Sequence, residues 1–296
     1  MYRPYSFSPR NFCQWGEGML TGETKVVGIM GWPVAHSLSP PMHNRAFAHL
    51  GLDWVYIPLP VAPDQVGEAI AGIKALGLVG VNVTVPHKEA VIAHLDELSR
   101  EARLIGAVNT IVHRDGRLKG YNTDGEGFYL GLEEGLDWRA QGQKITILGA
   151  GGAARAIAVQ GHLRGASQIN IVNRTYARAE ALAASLPQGD AYPWEELPKL
   201  LAISDLLVNA SSYGMGGDVP PPFPAHWLRR ETVVVDIVYK PRQTALLQAA
   251  ASRGCATVDG LAMLLYQGVK ALEIWTGEKA PVEVMAQALE DALQES

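Results

Sequence analysis

From Lys25 onward, short runs of strand-like residues alternate with longer stretches of helical spacing. "KVVGIMGWP" predicts a strand closed by a Gly-Trp-Pro turn, "WVYIPLP" a second strand and "VGVNVTVP" a third. Ahead of the third lies "DQVGEAIAGIKALG", whose apolar residues suit a helix. In "VNVTVPHKEA" the period is two: Val81, Val83 and Val85 alternate with Asn82 and Thr84, and Pro86 then removes a ladder donor. Lys88 follows, where a solvated residue on the first turn of a helix is the plain expectation. Strands alternating with helices imply βαβ units and a mainly parallel sheet.

"GAVNTIVHRDGRLKGYNTDG" breaks that rhythm. Asp115-Gly116 between two strand-like runs predicts a tight hairpin, because both turn positions want positive φ. With those two as the loop, Asn109 lies opposite Asn122, and Ala107 opposite Asp124. Period-two alternation then puts Asn109, Asn122 and Asp124 on one face at the open end of the hairpin.

A second unit opens near residue 143 with "QKITILGAGGAARAIAVQGHLRG", a strand, a glycine turn and a helix. "SQINIVNRT", "SDLLVNASS", "TVVVDIVY" and the short "CATVDG" supply further strands. Two helices, "LAMLLYQGVKALEIWTG" and "PVEVMAQALEDALQ", close the chain and are expected to pack back on the first unit. The fold class is therefore α/β with two domains, an α/β domain with a mainly parallel sheet and a Rossmann-type domain. The expected divisions are an extension at 1–24, a first domain of 25–125 plus about 262–296, and a nucleotide-binding domain at 126–261.

The glycine turn carries the first chemistry. Residues 149–154 read G-A-G-G-A-A, strand to helix. Gly149 permits the tight turn, Gly151 lets a pyrophosphate approach the backbone, and Ala154 keeps helix and strand close. The helix start adds unpaired N–H groups and a positive dipole end. An NAD site places an acidic residue after the next strand to bond the ribose 2′-hydroxyl. Here that strand ends in Asn173, Arg174 and Thr175, with Arg178 one turn on. A carboxylate would repel a 2′-phosphate and a guanidinium grips one, so the expected cofactor is NADP. Thr175 is also a candidate cap for the helix that follows.

Composition narrows the rest. The 296 residues are 48% hydrophobic and 19% charged, as in globular proteins, and a net charge of −5 without a basic stripe argues against nucleic acid. No apolar run suits a membrane span, and the opening residues lack a signal-peptide core. Two distant cysteines, Cys13 and Cys255, and eight histidines without ligand spacing give neither a disulfide framework nor a metal site. A reducing cytoplasm is the expected setting.

"SLSPPMHNRAF", "NVTVPHKE", "GAVNT", "NTDG", "GAGGAARA", "NRT", "NASSYGM", "DIVYKP" and "GLAMLLYQG" occur in the order seen in shikimate dehydrogenases, a family the chain resembles from about residue 26 to its end. The resemblance implies reversible, NADP-dependent reduction of 3-dehydroshikimate to shikimate on the route to aromatic amino acids. It also implies a substrate domain, a cofactor domain and an active site in the cleft between them. By the same likeness Lys88 and Asp124 are the catalytic pair. Ser37, Ser39, Thr84, Asn109 and Gln267 match positions that hold substrate, with Tyr239 near the ring. Gly149, Ala150, Gly151, Gly152, Ala153, Asn173, Arg174, Thr175, Arg178, Ile237 and Gly260 match cofactor contacts. Ser211 stands where threonine is commoner.

These roles suit the residues. Ser39-Pro40 reads as an N-cap with proline at the first helical position, and a capped helix start suits a carboxylate. Reduction of a ketone leaves charge on oxygen, which the Lys88 ammonium can neutralise while Asp124 orients it. Gln267 is an amide on an otherwise apolar helical stripe, so it needs either an internal partner or a cleft to face. Rival readings are a quinate-oxidising sister enzyme using NAD, a non-catalytic NADP sensor on the same scaffold, and a folate-linked dehydrogenase. The expected partners are small molecules only, on a monomer or homodimer.

Overall fold

The computed structural model describes residues 20–215 and 220–295. Most of the expected extension at 1–24 lies outside them; its last residues are tied down, with the Thr24 hydroxyl donating to Asp53 at 2.7 Å. The first sheet contains β1 (Lys25–Gly31), β2 (Trp54–Pro60), β3 (Gly80–Val83), β4 (Glu97–Leu98), β5 (Thr110–Arg114) and β6 (Arg117–Tyr121), in the order β2-β1-β3-β5-β6-β4. β1 pairs in parallel with β2 and β3, whereas β5 runs antiparallel to both its neighbours. Helices α1 (Ser39–His49), α2 (Val66–Ala75), α3 (Arg100–Ile105) and α4 (Asp124–Leu136) join these strands or follow them.

The second sheet is wholly parallel: β7 (Lys144–Leu148), β8 (Gln168–Val172), β9 (Gly189–Tyr192), β10 (Leu206–Asn209), β11 (Val233–Asp236) and β12 (Thr257–Val258), in the order β12-β11-β10-β7-β8-β9. Between its strands run α5 (Gly152–Leu163), α6 (Tyr176–Ala183), α7 (Leu197–Leu201) and α8 (Ala245–Ser252). The strand order reverses between β7 and β10, which opens a crevice at their carboxyl ends. Strand β9 went unpredicted because "GDAY" has neither alternation nor an apolar run; β8 alone recruits it as an edge.

Helix α9 (Gly260–Thr276) joins the two halves, and α10 (Val282–Gln294) follows it. Leu261, Leu265, Val269, Leu272 and Trp275 of α9 share a core with Val27, Met42, Phe47 and Tyr56 of the first half, as does Met285 of α10. On another side of α9, an added Cβ at Gly127 of α4 would lie 2.3 Å from the Gln267 nitrogen, so the two helices cross nearly backbone to backbone. Trp275 Nε1 donates to the Ile111 carbonyl at 3.0 Å and fixes the rotation of α9 over the first sheet. No helix of the described residues is long and apolar enough to cross a membrane.

Three local expectations need correction. The hairpin register is as expected, with Arg114 opposite Arg117 and φ of 52° and 72° at Asp115 and Gly116. The ladder ends at Thr110 and Tyr121, however, and Asp124 begins α4 instead of extending the strand. Asn122 turns away to bond the Ala107 carbonyl and the Asp124 amide, so it does not join the face of Asn109. Ser39 is not the cap of α1: Leu38 holds that place, and Ser37 Oγ accepts from the Ser39 amide at 3.2 Å. Lys88 lies in a turn just before a 3-10 segment, Ala90–His94, because β3 ends at Val83, short of Pro86.

Candidate active site

Lys88 and Asp124 come together although 36 residues separate them: Nζ donates to Oδ2 at 2.6 Å. The turn after β3 carries Lys88, and a bond from the Val108 amide to its carbonyl at 2.8 Å ties that turn to the segment leading into β5. Asp124 opens α4, where the helix dipole favours a carboxylate. Its side chain is 6% exposed against 22% for Lys88, so the carboxylate is the fixed member and the ammonium faces the cleft.

Around the pair is a dense polar cluster. The Asn109 side-chain amide donates to Asp124 Oδ1 at 2.9 Å and to the Thr123 hydroxyl at 2.9 Å. It also lies 3.4 Å from Gln267 Oε1, reaching across from α9. Gln267 in turn donates to the Leu264 carbonyl and accepts, on its backbone oxygen, from Thr123. The lone amide on an apolar stripe thus has internal partners and lines the cleft as well.

The cleft holds about 830 Å³. Among its lining residues are Ser37, Ser39, Thr84, Lys88, Asn109, Asp124, Tyr239 and Gln267, the expected catalytic and substrate set. Ala153, Ile237 and Gly260 border it from the cofactor side. His36, Asn82, Met215 and Met263 also line it, as does Ser211, noted in the sequence only for standing where threonine is commoner; none of the five was assigned a site role. Asn82 had a signal, a polar residue amid valines on the same strand face as Thr84. Met215 and Leu293 had none, since tertiary packing alone brings them to the rim.

The remaining expected cofactor residues lie along the crevice at the strand ends. Gly149 has φ of 120°, and an added Cβ would lie 2.8 Å from the Ala210 carbonyl, so that turn requires glycine. At Gly151 and Gly152 an added Cβ would meet nothing within 4 Å, which leaves the start of α5 open to a phosphate. Ala150 is packed inside, so only its backbone is available. Asn173 bonds the Thr175 carbonyl at 2.9 Å, and Thr175 holds the cap position of α6 without a side-chain capping bond. Arg174 and Arg178 are exposed, and neither has a carboxylate partner among the described residues. These features fit a dinucleotide bearing a 2′-phosphate.

Buried Asp236 holds the far rim. It accepts from Asn209 Nδ2 at 3.0 Å, the Val238 amide at 3.1 Å and the Thr244 hydroxyl at 2.8 Å. Asn209 then anchors the 209–215 loop through Ser211 and the Tyr213 carbonyl. Burial pushes the Asp236 carboxyl above its ordinary range, against these three donors. Burial likewise raises the Tyr239 phenol at the cleft wall. Among the described residues, no group of three or more His, Cys, Asp or Glu is placed to hold a metal ion.

A parallel sheet with a glycine turn at its switch point, joined to a second α/β unit by a cleft with a lysine–carboxylate pair, defines a two-domain nucleotide-dependent dehydrogenase. Family models cover both halves. The shikimate dehydrogenase substrate binding domain matches residues 29–111, shikimate / quinate 5-dehydrogenase matches 133–214, and the shikimate 5′-dehydrogenase C-terminal domain matches 260–290. The chain is 48% identical over 283 residues to the shikimate dehydrogenase (NADP⁺) of Desulforamulus reducens, covering 93% of this chain and 97% of that one. A crystal structure of a shikimate dehydrogenase in complex with NADP⁺ superposes with a TM-score of 0.87 at 43% identity, covering 92% and 97%. The Thermus thermophilus enzyme in complex with NADP(H) and shikimate gives 0.84 at 38% identity, covering 90% and 99%. The chain belongs to the shikimate dehydrogenase family.

Proposed function

We propose that this protein catalyses the reversible, NADPH-dependent reduction of 3-dehydroshikimate to shikimate. The observation that carries the reading is the 2.6 Å Lys88–Asp124 pair in a cleft bordered by Ala153 and Ile237 of the nucleotide half. When bound, NADPH supplies the hydride. Lys88 meets the charge developing on the ketone oxygen and provides its proton, while Asp124 and Asn109 orient Lys88 and bond a neighbouring hydroxyl. Ser37 and Ser39, at the start of α1, hold the substrate carboxylate with help from the helix dipole. Thr84, Tyr239 and Gln267 wall the ring and exclude water. The backbone of Gly149 to Ala153 cradles the pyrophosphate, Ile237 and Gly260 support the nicotinamide end, and Asn173 to Arg178 hold the adenosine ribose.

In this reading residues 25–125 with about 262–296 form the substrate half and 126–261 the cofactor half. The enzyme works in the cytoplasm as a monomer or homodimer. Purified protein would be assayed for nicotinamide reduction with shikimate or quinate crossed against NADP⁺ or NAD⁺. Activity confined to shikimate with NADP⁺ is expected. Comparable rates with quinate or NAD⁺ would move the chain to the quinate-oxidising group, and silence in all four would leave a nucleotide sensor.

A further inference from the structure

Behind the cleft wall runs a file of hydrogen bonds whose sense is set by groups that can bond in one way only. The Asn109 backbone carbonyl can only accept, and Asn82 Nδ2 donates to it at 3.2 Å. The Asn82 amide is therefore oriented with its nitrogen toward β5, and its oxygen faces the Tyr56 phenol at 2.8 Å, which must donate. The same Asn82 nitrogen donates to Thr110 Oγ1 at 3.0 Å. The Thr110 hydrogen must then go elsewhere, and Asn109 Oδ1 lies 3.0 Å away. The Thr123 N–H, a donor only, meets that same oxygen at 2.8 Å and fixes the second amide. The Asn109 nitrogen is thus aimed at Asp124.

We infer that Tyr56 and Thr110 are positioning residues for the reaction proposed above. They form a one-way donor relay, Tyr56 to Asn82 to Thr110 to Asn109 to Asp124, that holds the carboxylate in place to orient Lys88. Neither Tyr56, 1% exposed, nor Thr110, 0% exposed, lines the cleft; Thr110 acts through the asparagines, and Tyr56 through Asn82 and through Ser39 beside its phenol. Aligned donors polarise one another, and an interrupted buried network leaves unpaired groups beside the carboxylate. Thr110 is the link between the two asparagines, because its hydroxyl both accepts from Asn82 and donates to Asn109, adding to the hold of the Thr123 N–H. Ser37 and the nucleotide cradle stand outside the relay, so cofactor binding and the Ser37 end of the substrate site are spared.

The test compares Thr110→Val, nearly isosteric but without the hydroxyl, with Thr110→Ser, which restores it. Steady-state kinetics with shikimate and NADP⁺ would be measured beside NADP⁺ affinity by fluorescence titration. Thr110→Val is expected to lower kcat about tenfold, with KM for shikimate and the NADP⁺ Kd each changing less than about threefold. Thr110→Ser is expected to return kcat to within about threefold of the unmodified enzyme. Tyr56→Phe, which removes the first donor, should lower kcat in the same direction and decides the matter if Thr110→Val does not fold. An unchanged kcat in the folded variants, equal impairment by valine and serine, or a loss confined to KM would overturn the relay. Inactivity of the unmodified enzyme with shikimate would instead overturn the reaction on which the relay rests.

Discussion

His43, on α1 one turn beyond Ser39, makes acidification a direct test of how this core is built. Its ring has no exposed surface and neither nitrogen has a hydrogen-bond partner. It stacks on Tyr56 with centroids 4.5 Å apart and lies 5.5 Å from the Trp275 ring. Burial without a partner disfavours the imidazolium and pushes the pKa from 6.5 down to about 3. The sign follows from which state takes up the proton. As pH falls below 6.5 the unfolded chain protonates this histidine while the folded chain does not, so stability present above 6.5 is lost on the way to about 3. Within that window each pH unit costs about 1.4 kcal/mol. Between roughly pH 7.5 and pH 5 the loss integrates to about 2 kcal/mol. Urea unfolding of the intact protein and of His43→Leu at those two pH values isolates it, because every other titrating group is common to both. The unmodified protein should lose about 2 kcal/mol more than the variant. A difference under about 0.5 kcal/mol, or one of opposite sign, would show that the ring is solvated or paired in solution.

Two further outcomes follow from the site. Lys88→Ala should lower kcat by about 10²-fold or more while leaving NADP⁺ affinity within about twofold, read by steady-state kinetics and fluorescence titration; loss of cofactor binding would place Lys88 in the wrong site. Arg174→Ala should weaken NADP⁺ by about 10-fold or more and leave NAD⁺ nearly unchanged, since a charge-assisted bond to phosphate is worth about 1.5–3 kcal/mol. Equal weakening of both nucleotides, measured by titration, would remove Arg174 from the 2′-phosphate.

Local chemistry made several features legible from the chain alone. Asp115-Gly116 names its own turn because few residues tolerate positive φ in succession. Gly149 does the same for the nucleotide turn, and the absence of an acid beside Arg174 bears on the cofactor without any knowledge of the fold. The strands of both sheets were visible wherever valine and isoleucine crowd together. What escaped depended on partners far away in sequence. Asp124 was expected on a strand, yet it reaches Asn109 from the first turn of α4, since the ladder gives way to a helix that must cross α9 at Gly127. Leu38, and not Ser39, caps α1, because the chain turns there so that Ser39 is buried beside the Tyr56 phenol. Gln267 and Asn109 are 158 residues apart, and only the crossing of α9 over the first half brings them together. The sense of the bonds behind the cleft, and the isolation of the His43 ring, are likewise tertiary. A residue's type states which bonds it can make, while the packing around it decides which partners remain within reach and away from water.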